Sequence, residues 1–352
     1  MQKNYLMYVG IIVLIVIIAA VFLAYPANKQ HYTSTAQQNA NASQPGNLTK
    51  IRVGWQNTWA TEGQLTQILA HTDFLNKNGL NATFYGFSAG GPLNVAALSG
   101  DVDVLFTADT PAASLLSETS NWVIIGRLMY NRVAIYVPPD SPIENVSDLR
   151  NKTVAMPFAT ASQVMAFEAE EHAGLNPLTD VHNINLDIAE QAFIVNSTNA
   201  SKWGTIDALA GFDPTPAIFQ EKGLVRTIYV GKAVSVIMMS KSYIAAHPQA
   251  PVEFLKSLYE AYSFYRNNTY LANQWFINAS GLNITQAALN LSASIEPNLN
   301  GTNSSIRLGF VPSDYLVLQN ASNFMYTNNM IESDVNMTDN IDLQYLSEAG
   351  LR

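Results

Sequence analysis

Residues 100–111, GDVDVLFTADTP, constrain this chain more than any other stretch. An apolar strand at 102–106 is opened by a Gly-Asp turn. The polar segment that closes it starts a helix, with Asp109 or Thr110 as N-cap and Pro111 at the first helical position. A strand that runs straight into a helix is the corner at which α/β proteins bind ligands. Residues 204–214, GTIDALAGFDP, repeat the pattern: a Gly, an Asp three residues on, an apolar strand, and a second Asp six residues after the first, followed by Pro. Two such corners predict two α/β lobes facing each other across a cleft.

The 352 residues suffice for an anchor and two lobes, each large enough to bury a core. Charged residues make up 13% of the chain, and the net charge is −9 with no run of Lys or Arg. Nucleic acid therefore has no electrostatic footprint here. The chain has no cysteine, which excludes disulfides, thiolate metal sites, a cysteine nucleophile and a lipid-bearing N-terminal Cys. Fifteen Asn-x-Ser/Thr sequons, Asn41, Asn81, Asn151 and Asn320 among them, reflect either an Asn-rich composition or a glycosylated, extracytoplasmic surface.

Residues 6–25 form a nearly unbroken apolar run, and twenty helical residues at ~1.5 Å each span the ~30 Å hydrocarbon core of a membrane. Lys3 precedes the run, and Tyr5, Tyr8 and Tyr25 sit near its ends like interfacial anchors. The expectation is a short cytoplasmic end (1–4), an uncleaved single-pass anchor (5–25) and a polar flexible linker (26–49), with the folded bulk outside the cell membrane.

Beyond the linker, strands at 51–55, 81–85, 102–106 and 122–125 alternate with helical patterns, the first carrying Leu65, Ile68 and Leu69 on one face. Such alternation predicts a parallel sheet with crossover helices. A strand at 133–137 closed by Pro138 and Pro139 is read as the crossing into a second lobe. That lobe has strands at 153–156, 183–186 and 224–229. A strand at 234–239 returns the chain to lobe one, and helices at 251–265 and 312–326 follow. The division is lobe one at 50–137 and 232–352, lobe two at 138–231.

From residue 51 to about 341 the chain resembles the substrate-binding proteins of ABC importers in the aliphatic sulfonate, nitrate and taurine group, which also includes binders of pyrimidine precursors. The resemblance rests on IRVGWQ, FSAGGP, ALSGDVDVLFTADTPA, YVPPDSPIENVSDLRNKTVAM, EHAGLNP and IDALAGFDP. It implies a two-lobed, type II periplasmic-binding-protein-like α/β fold, each lobe a mostly parallel sheet flanked by helices, here preceded by one transmembrane helix in an archaeal-looking arrangement. It also implies a monomer that takes a small-molecule ligand, needs no cofactor, and delivers the ligand to an ABC permease and its ATPase. Ligand contact carries over by similarity to Gln56, Asn57, Trp59, Ser88, Ala89, Gly90, Gly91, Thr107, Ala108, Asp109, Thr110, Thr160, Ala161, Ser162, Phe212 and Asp213.

Several helix N-termini should converge in that cleft, each offering free N–H groups and partial positive charge to an oxyanion. An anionic solute such as an alkanesulfonate, taurine or nitrate is expected, with a neutral pyrimidine as the alternative. Other readings of the residues stand open. Asp109 and Asp213 are helix caps or ligand contacts; Gly90 and Gly91 serve a tight turn or a close ligand approach; Arg132 forms a structural ion pair or binds an acid. The five histidines fall in no metal-ligand spacing, and no nucleophile, P-loop or dinucleotide motif is present, so no enzyme activity is expected. A ligand-sensing ectodomain is the remaining alternative.

Overall fold

A short edge strand, β1 (His31–Thr33), lies inside the stretch read as linker and pairs antiparallel with β3 (Leu80–Phe87). The computed structural model describes residues 31–33, 48–197, 203–300 and 305–351. The expected membrane segment at 5–25 lies outside them, and among the described residues no helix is long and apolar enough to cross a membrane.

The first half runs β2 (Thr49–Gln56), α1 (Glu62–His71), α2 (Phe74–Lys77), β3, α3 (Gly90–Leu98), β4 (Val104–Ala108) and α4 (Asp109–Glu118). Helix α1 forms because Leu65, Ile68 and Leu69 recur on one face and all are buried, while Gln64 returns its side-chain oxygen to the Thr61 N–H at 2.6 Å. Helix α4 begins at Asp109 with Ala108 as N-cap, so its first residue comes two positions earlier than the Pro111 start the sequence suggests. Pro111 still falls in the first turn, where a missing N–H breaks no helical bond.

Next comes β5 (Trp122–Val137), then β6 (Thr153–Met156), α5 (Ala161–His172), β7 (His182–Asn185), α6 (Ile188–Ser197), β8 (Ala208–Phe212), α7 (Thr215–Glu221) and β9 (Arg226–Ser240). The chain ends in helices: α8 (Lys241–Ala246), α9 (Ala250–Asn267), α10 (Thr269–Ser280), α11 (Gln286–Ala293), α12 (Pro297–Asn300), α13 (Pro312–Thr327) and α14 (Gln344–Glu348).

All nine strands belong to one mixed sheet of order β1-β3-β2-β4-β9-β5-β8-β6-β7. Strands β3, β2 and β4 are mutually parallel, as are β7, β6 and β8. The two triplets are joined by β5 and β9, antiparallel to each other over nearly their whole length. Strand β4 pairs with the far end of β9, from Ser235 to Met239, whereas β8 pairs with the far end of β5, from Val133 to Tyr136.

The sequence suggests two short strands in each of these regions, and the structure has one 16-residue and one 15-residue strand instead. Nothing between Ile125 and Val133 forces a turn, and register shifts at 124/126 and 127/129 absorb the twist within the strand. The crossing between halves is therefore a hydrogen-bonded ribbon and not the Pro138-Pro139 segment, which merely ends β5. Nor are the cores separate. One buried cluster contains Leu65 and Phe254 from the first half together with Val154, Met165 and Ala208 from the second.

Candidate functional site

The repeated corners owe their aspartates to backbone accounting. In the first, Asp103 accepts from the Arg52 N–H at 2.8 Å and from its guanidinium at 3.0 and 2.6 Å, while the Asp103 N–H donates to Arg52 O at 2.8 Å. In the second, Asp207 accepts from the Thr153 N–H at 2.9 Å and its own N–H donates to Thr153 O at 2.9 Å. Each aspartate thus aligns its strand with a parallel neighbour in the sheet, β4 with β2 and β8 with β6.

The second aspartate of each corner reaches the crossing ribbon. Asp109 accepts from Val234 N at 2.9 Å and from Thr110 N at 2.7 Å. Asp213 accepts from the Arg132 guanidinium at 3.2 Å and from Ala217 N at 3.1 Å, and its N–H donates to Arg132 O at 2.9 Å. Both are fully buried, and burial pushes each carboxyl up to about 6, against the pull of these hydrogen bonds and of Arg132. All four carboxylate oxygens of the pair have protein partners, and Arg132 forms the structural ion pair.

Between β2 and β4 lies the switch point of the first half. Helix α1 leaves β2 on the face of Leu65 and Ile68, and α4 leaves β4 on the opposite face, with Ala112 and Leu115. A crevice opens where two neighbouring strands send their helices to opposite sides. Even-numbered residues of β2 address β4, as the Arg52 bonds show, while Thr49 donates to Gly79, just before β3, and Asn57 to Phe87 of β3. After the pair Gly54↔Leu105 the strands part. Beyond that point the Gln56 N–H, directed at β4, is met by the Glu62 carboxyl at 2.6 Å.

Polar atoms without a protein partner gather at this edge. Gln56 Nε2 and Thr107 Oγ are buried and unbonded, two residues beyond the last β2–β4 pair. Glu62 Oε2, Ser235 Oγ and Asn131 Oδ1 are buried and unbonded as well, the last two on the crossing ribbon beside Ala108 and Ala233. A buried polar group left without a partner costs roughly 1–3 kcal/mol, so a cluster of them marks a place where an external group can bond.

The second half closes over this edge. Trp59, in the β2–α1 turn, stacks on Phe212 at the end of β8 with ring centroids 5.0 Å apart. Thr160, N-cap of α5, donates to Pro157 O at 2.8 Å and bonds the Ser162 hydroxyl at 2.7 Å. Farther out, the Phe167 ring meets Phe324 edge-on at 5.4 Å, and Asn320 donates to Glu168 at 3.1 Å. These last residues line a groove of about 860 Å³ with His172, Leu175 and Asn323, away from the corners.

The residues singled out from sequence separate into groups. Gln56, Trp59, Thr107, Ala108, Asp109, Thr110, Ala161, Ser162, Phe212 and Asp213 are buried, and Trp59 and Phe212 touch across the two halves. Ser88, Ala89 and Gly91 are exposed, and Asn57 and Thr160 are half-buried. Gly90 has a packing role: a Cβ there would overlap the Pro111 ring, so the absent side chain lets α3 start against α4. Gly91 faces open space.

Glu62, Ser235 and Asn131 were not singled out. Ser235 and Asn131 interrupt apolar runs, VSVIMMS and LMYNRVAI, which is a readable signal. Glu62 reads as an ordinary helix-start acid. Behind the ribbon a buried ion pair, Arg127–Glu296 at 2.7 Å, also accepts the Tyr130 N–H, and Lys232 sits 4.2 Å over the Tyr130 ring.

No family model matches the chain. Over 205 residues it is 26% identical to the putative aliphatic sulfonates-binding protein of Escherichia coli (strain K12), covering 57% of this chain and 60% of that relative's length. The crystal structure of the periplasmic aliphatic sulphonate binding protein SsuA from Escherichia coli superposes with a TM-score of 0.69 at 19% identity, covering 83% of this chain and 92% of that one. A mutant of DszB, a desulfurization enzyme, in complex with biphenyl-2-sulfinic acid superposes at 0.63 and 14% identity, covering 86% and 98%. The chain has the α/β fold of periplasmic binding proteins, a fold shared by carriers and at least one enzyme.

Proposed function

We propose that this chain is the extracytoplasmic solute-binding component of an ABC-type importer. It captures a small anionic solute, alkanesulfonate-like, taurine or nitrate, between its halves and delivers it to a membrane permease. The observation that carries the reading is the crevice between β2 and β4, where Gln56 Nε2 and Thr107 Oγ are buried without a partner beside the first turn of α4, whose helix dipole adds partial positive charge. Sequence and fold likeness to sulfonate-binding proteins supports it.

In this reading lobe one includes 50–121 and 241–352, lobe two includes 138–225, the β5–β9 ribbon joins them, and residues 5–25 anchor the folded domain to the cell membrane. We read a carrier and not a catalyst, because Asp109 and Asp213 have all their oxygens engaged internally. Ligand contact is assigned to Gln56, Trp59, Thr107, Thr160 and Phe212, with the α5 N-terminus at Ala161.

The test is a thermal-shift and calorimetric panel of ethanesulfonate, taurine, nitrate and uracil. A ligand at 100 times its Kd stabilises the folded state by ~2.7 kcal/mol. A sulfonate, taurine or nitrate is expected to raise Tm, and Thr107→Val to weaken its binding about tenfold while raising the ligand-free Tm, because it removes a buried hydroxyl that has no partner. A shift with uracil alone overturns the anion, and no shift with any of the four overturns the solute-binding reading.

A further inference from the structure

The crevice assigned to an oxyanion already holds a carboxyl group, and the geometry constrains how the two can coexist. Glu62 opens α1, its side chain is fully buried, and Oε1 accepts the Gln56 N–H that would otherwise face β4. Oε2 has no partner. An ionised carboxylate in that position repels an anion, whereas a protonated one is a hydrogen-bond donor.

Nothing nearby compensates a charge on Glu62. The elements packed on α1 are β2, β3, α9 and α10. Their charged and titratable groups are Lys50, Arg52, Tyr85, Glu253, Lys256, Tyr259, Glu260, Tyr262, Tyr265, Arg266 and Tyr270, with His71 on α1 itself. Arg52 is spent on Asp103, and Tyr265 donates to Asn273. Among the described residues none forms an ion pair with Glu62, and burial drives its carboxyl well above the ordinary range.

Resting on the solute-binding reading above, we propose that Glu62 is a specificity-determining residue whose protonated carboxyl donates a hydrogen bond to an oxygen of the bound anion. Capture is then linked to proton uptake: the neutral acid accepts the anion and the ionised form rejects it. The device selects oxyanions that cannot themselves take the proton, sulfonates above carboxylates.

The experiment is calorimetric titration of the full chain and of Glu62→Gln with ethanesulfonate at half-unit steps from pH 5 to 9. Asp109 and Asp213 titrate in both proteins, so the ratio of the two Kd values isolates Glu62. Affinity of the wild-type chain is expected to fall relative to Glu62→Gln by about tenfold per pH unit above the Glu62 pKa. A carboxylic-acid carbonyl band in the infrared spectrum of the wild-type chain near neutral pH, lost on its ionisation and missing in Glu62→Gln, is expected alongside.

A ratio that does not change with pH overturns the proposal, as does a ratio that moves in favour of the wild-type chain as pH rises, which would mean that an ionised Glu62 does not repel the sulfonate. If Glu62→Gln fails to fold, the wild-type pH profile and infrared band still decide, and a flat profile or a missing band overturns it. Failure of ethanesulfonate, taurine and nitrate alike to bind at any pH sinks the solute-binding reading and this inference with it. PH-independent binding sinks this inference alone.

Discussion

The indole of Trp59 lies on the phenyl ring of Phe212, centroids 5.0 Å apart and planes 29° from parallel, so the first turn of one half is stacked on the last strand residue of the other. The two residues are 153 apart in sequence, and both are buried. Their contact closes the edge at which the unpaired atoms of Gln56 and Thr107 gather.

Truncating either ring should cost ~3–5 kcal/mol, as for other buried aromatics. Beyond the lost area, a stacked pair is coupled by about 0.5–1.5 kcal/mol. Urea denaturation of Trp59→Ala, Phe212→Ala and the double variant is expected to show that coupling as a double loss smaller than the sum. Strict additivity would mean the rings do not touch in solution.

Adjacent glycines should respond with opposite signs. Gly90→Ala sets a methyl into the Pro111 ring and is expected to destabilise by about 1–3 kcal/mol. Gly91→Ala meets open space inside a helix and should stabilise by roughly 0.5–1 kcal/mol. Paired melting curves check this, and equal effects would contradict the packing of α3 on α4.

The carboxyls of Asp109 and Asp213 are each raised to about 6 by burial. The folded state therefore binds more protons than the unfolded one between about pH 4 and 6. Stability from this source is complete below about pH 4 and is lost as pH rises through 6. A displacement of this size corresponds to about 3 kcal/mol for each group. Asp109→Asn lacks the titration, so its stability relative to the parent should improve by about that amount from pH 4 to 7 in urea denaturation. A pH-independent difference would show that Asp109 ionises normally.

Arg127 and Glu296 form a fully buried pair behind the ribbon, with the Glu296 carboxylate also accepting from Tyr130 N at 2.7 Å and Asn298 N at 2.9 Å. Removing one partner strands the other charge out of water, at a cost of about 3–5 kcal/mol. Arg127→Met and Glu296→Gln are each expected to fall in that range, and the double variant to lose much less than their sum. Single losses under 1 kcal/mol would indicate that water reaches the pair.

Much of the fold is legible in short windows of sequence. The spacing of Leu65, Ile68 and Leu69 reports a buried helix face, and the spacing of Val252, Leu255, Leu258 and Tyr262 places α9 to within two residues at either end. The twin Gly/Asp corners do mark strand-to-helix turns, β4 running into α4 and β8 leading to α7. The long ribbon was missed because a 16-residue apolar strand and two shorter ones present the same alternation; only pairing along the whole length distinguishes them.

The sequence by itself determined which segments turn into helices at a strand end, because periodicity, capping and turn chemistry act over a few residues. It could not determine which polar atoms at those ends stay free. Asp109 is satisfied by Val234, 125 residues away, and Asp213 by Arg132, 81 residues before it. Glu62 and Thr107 keep an atom unbonded in the same neighbourhood. A hydrogen-bond partner is a matter of three-dimensional reach, so the tertiary structure alone separated the aspartates that hold the scaffold from the groups left without a partner.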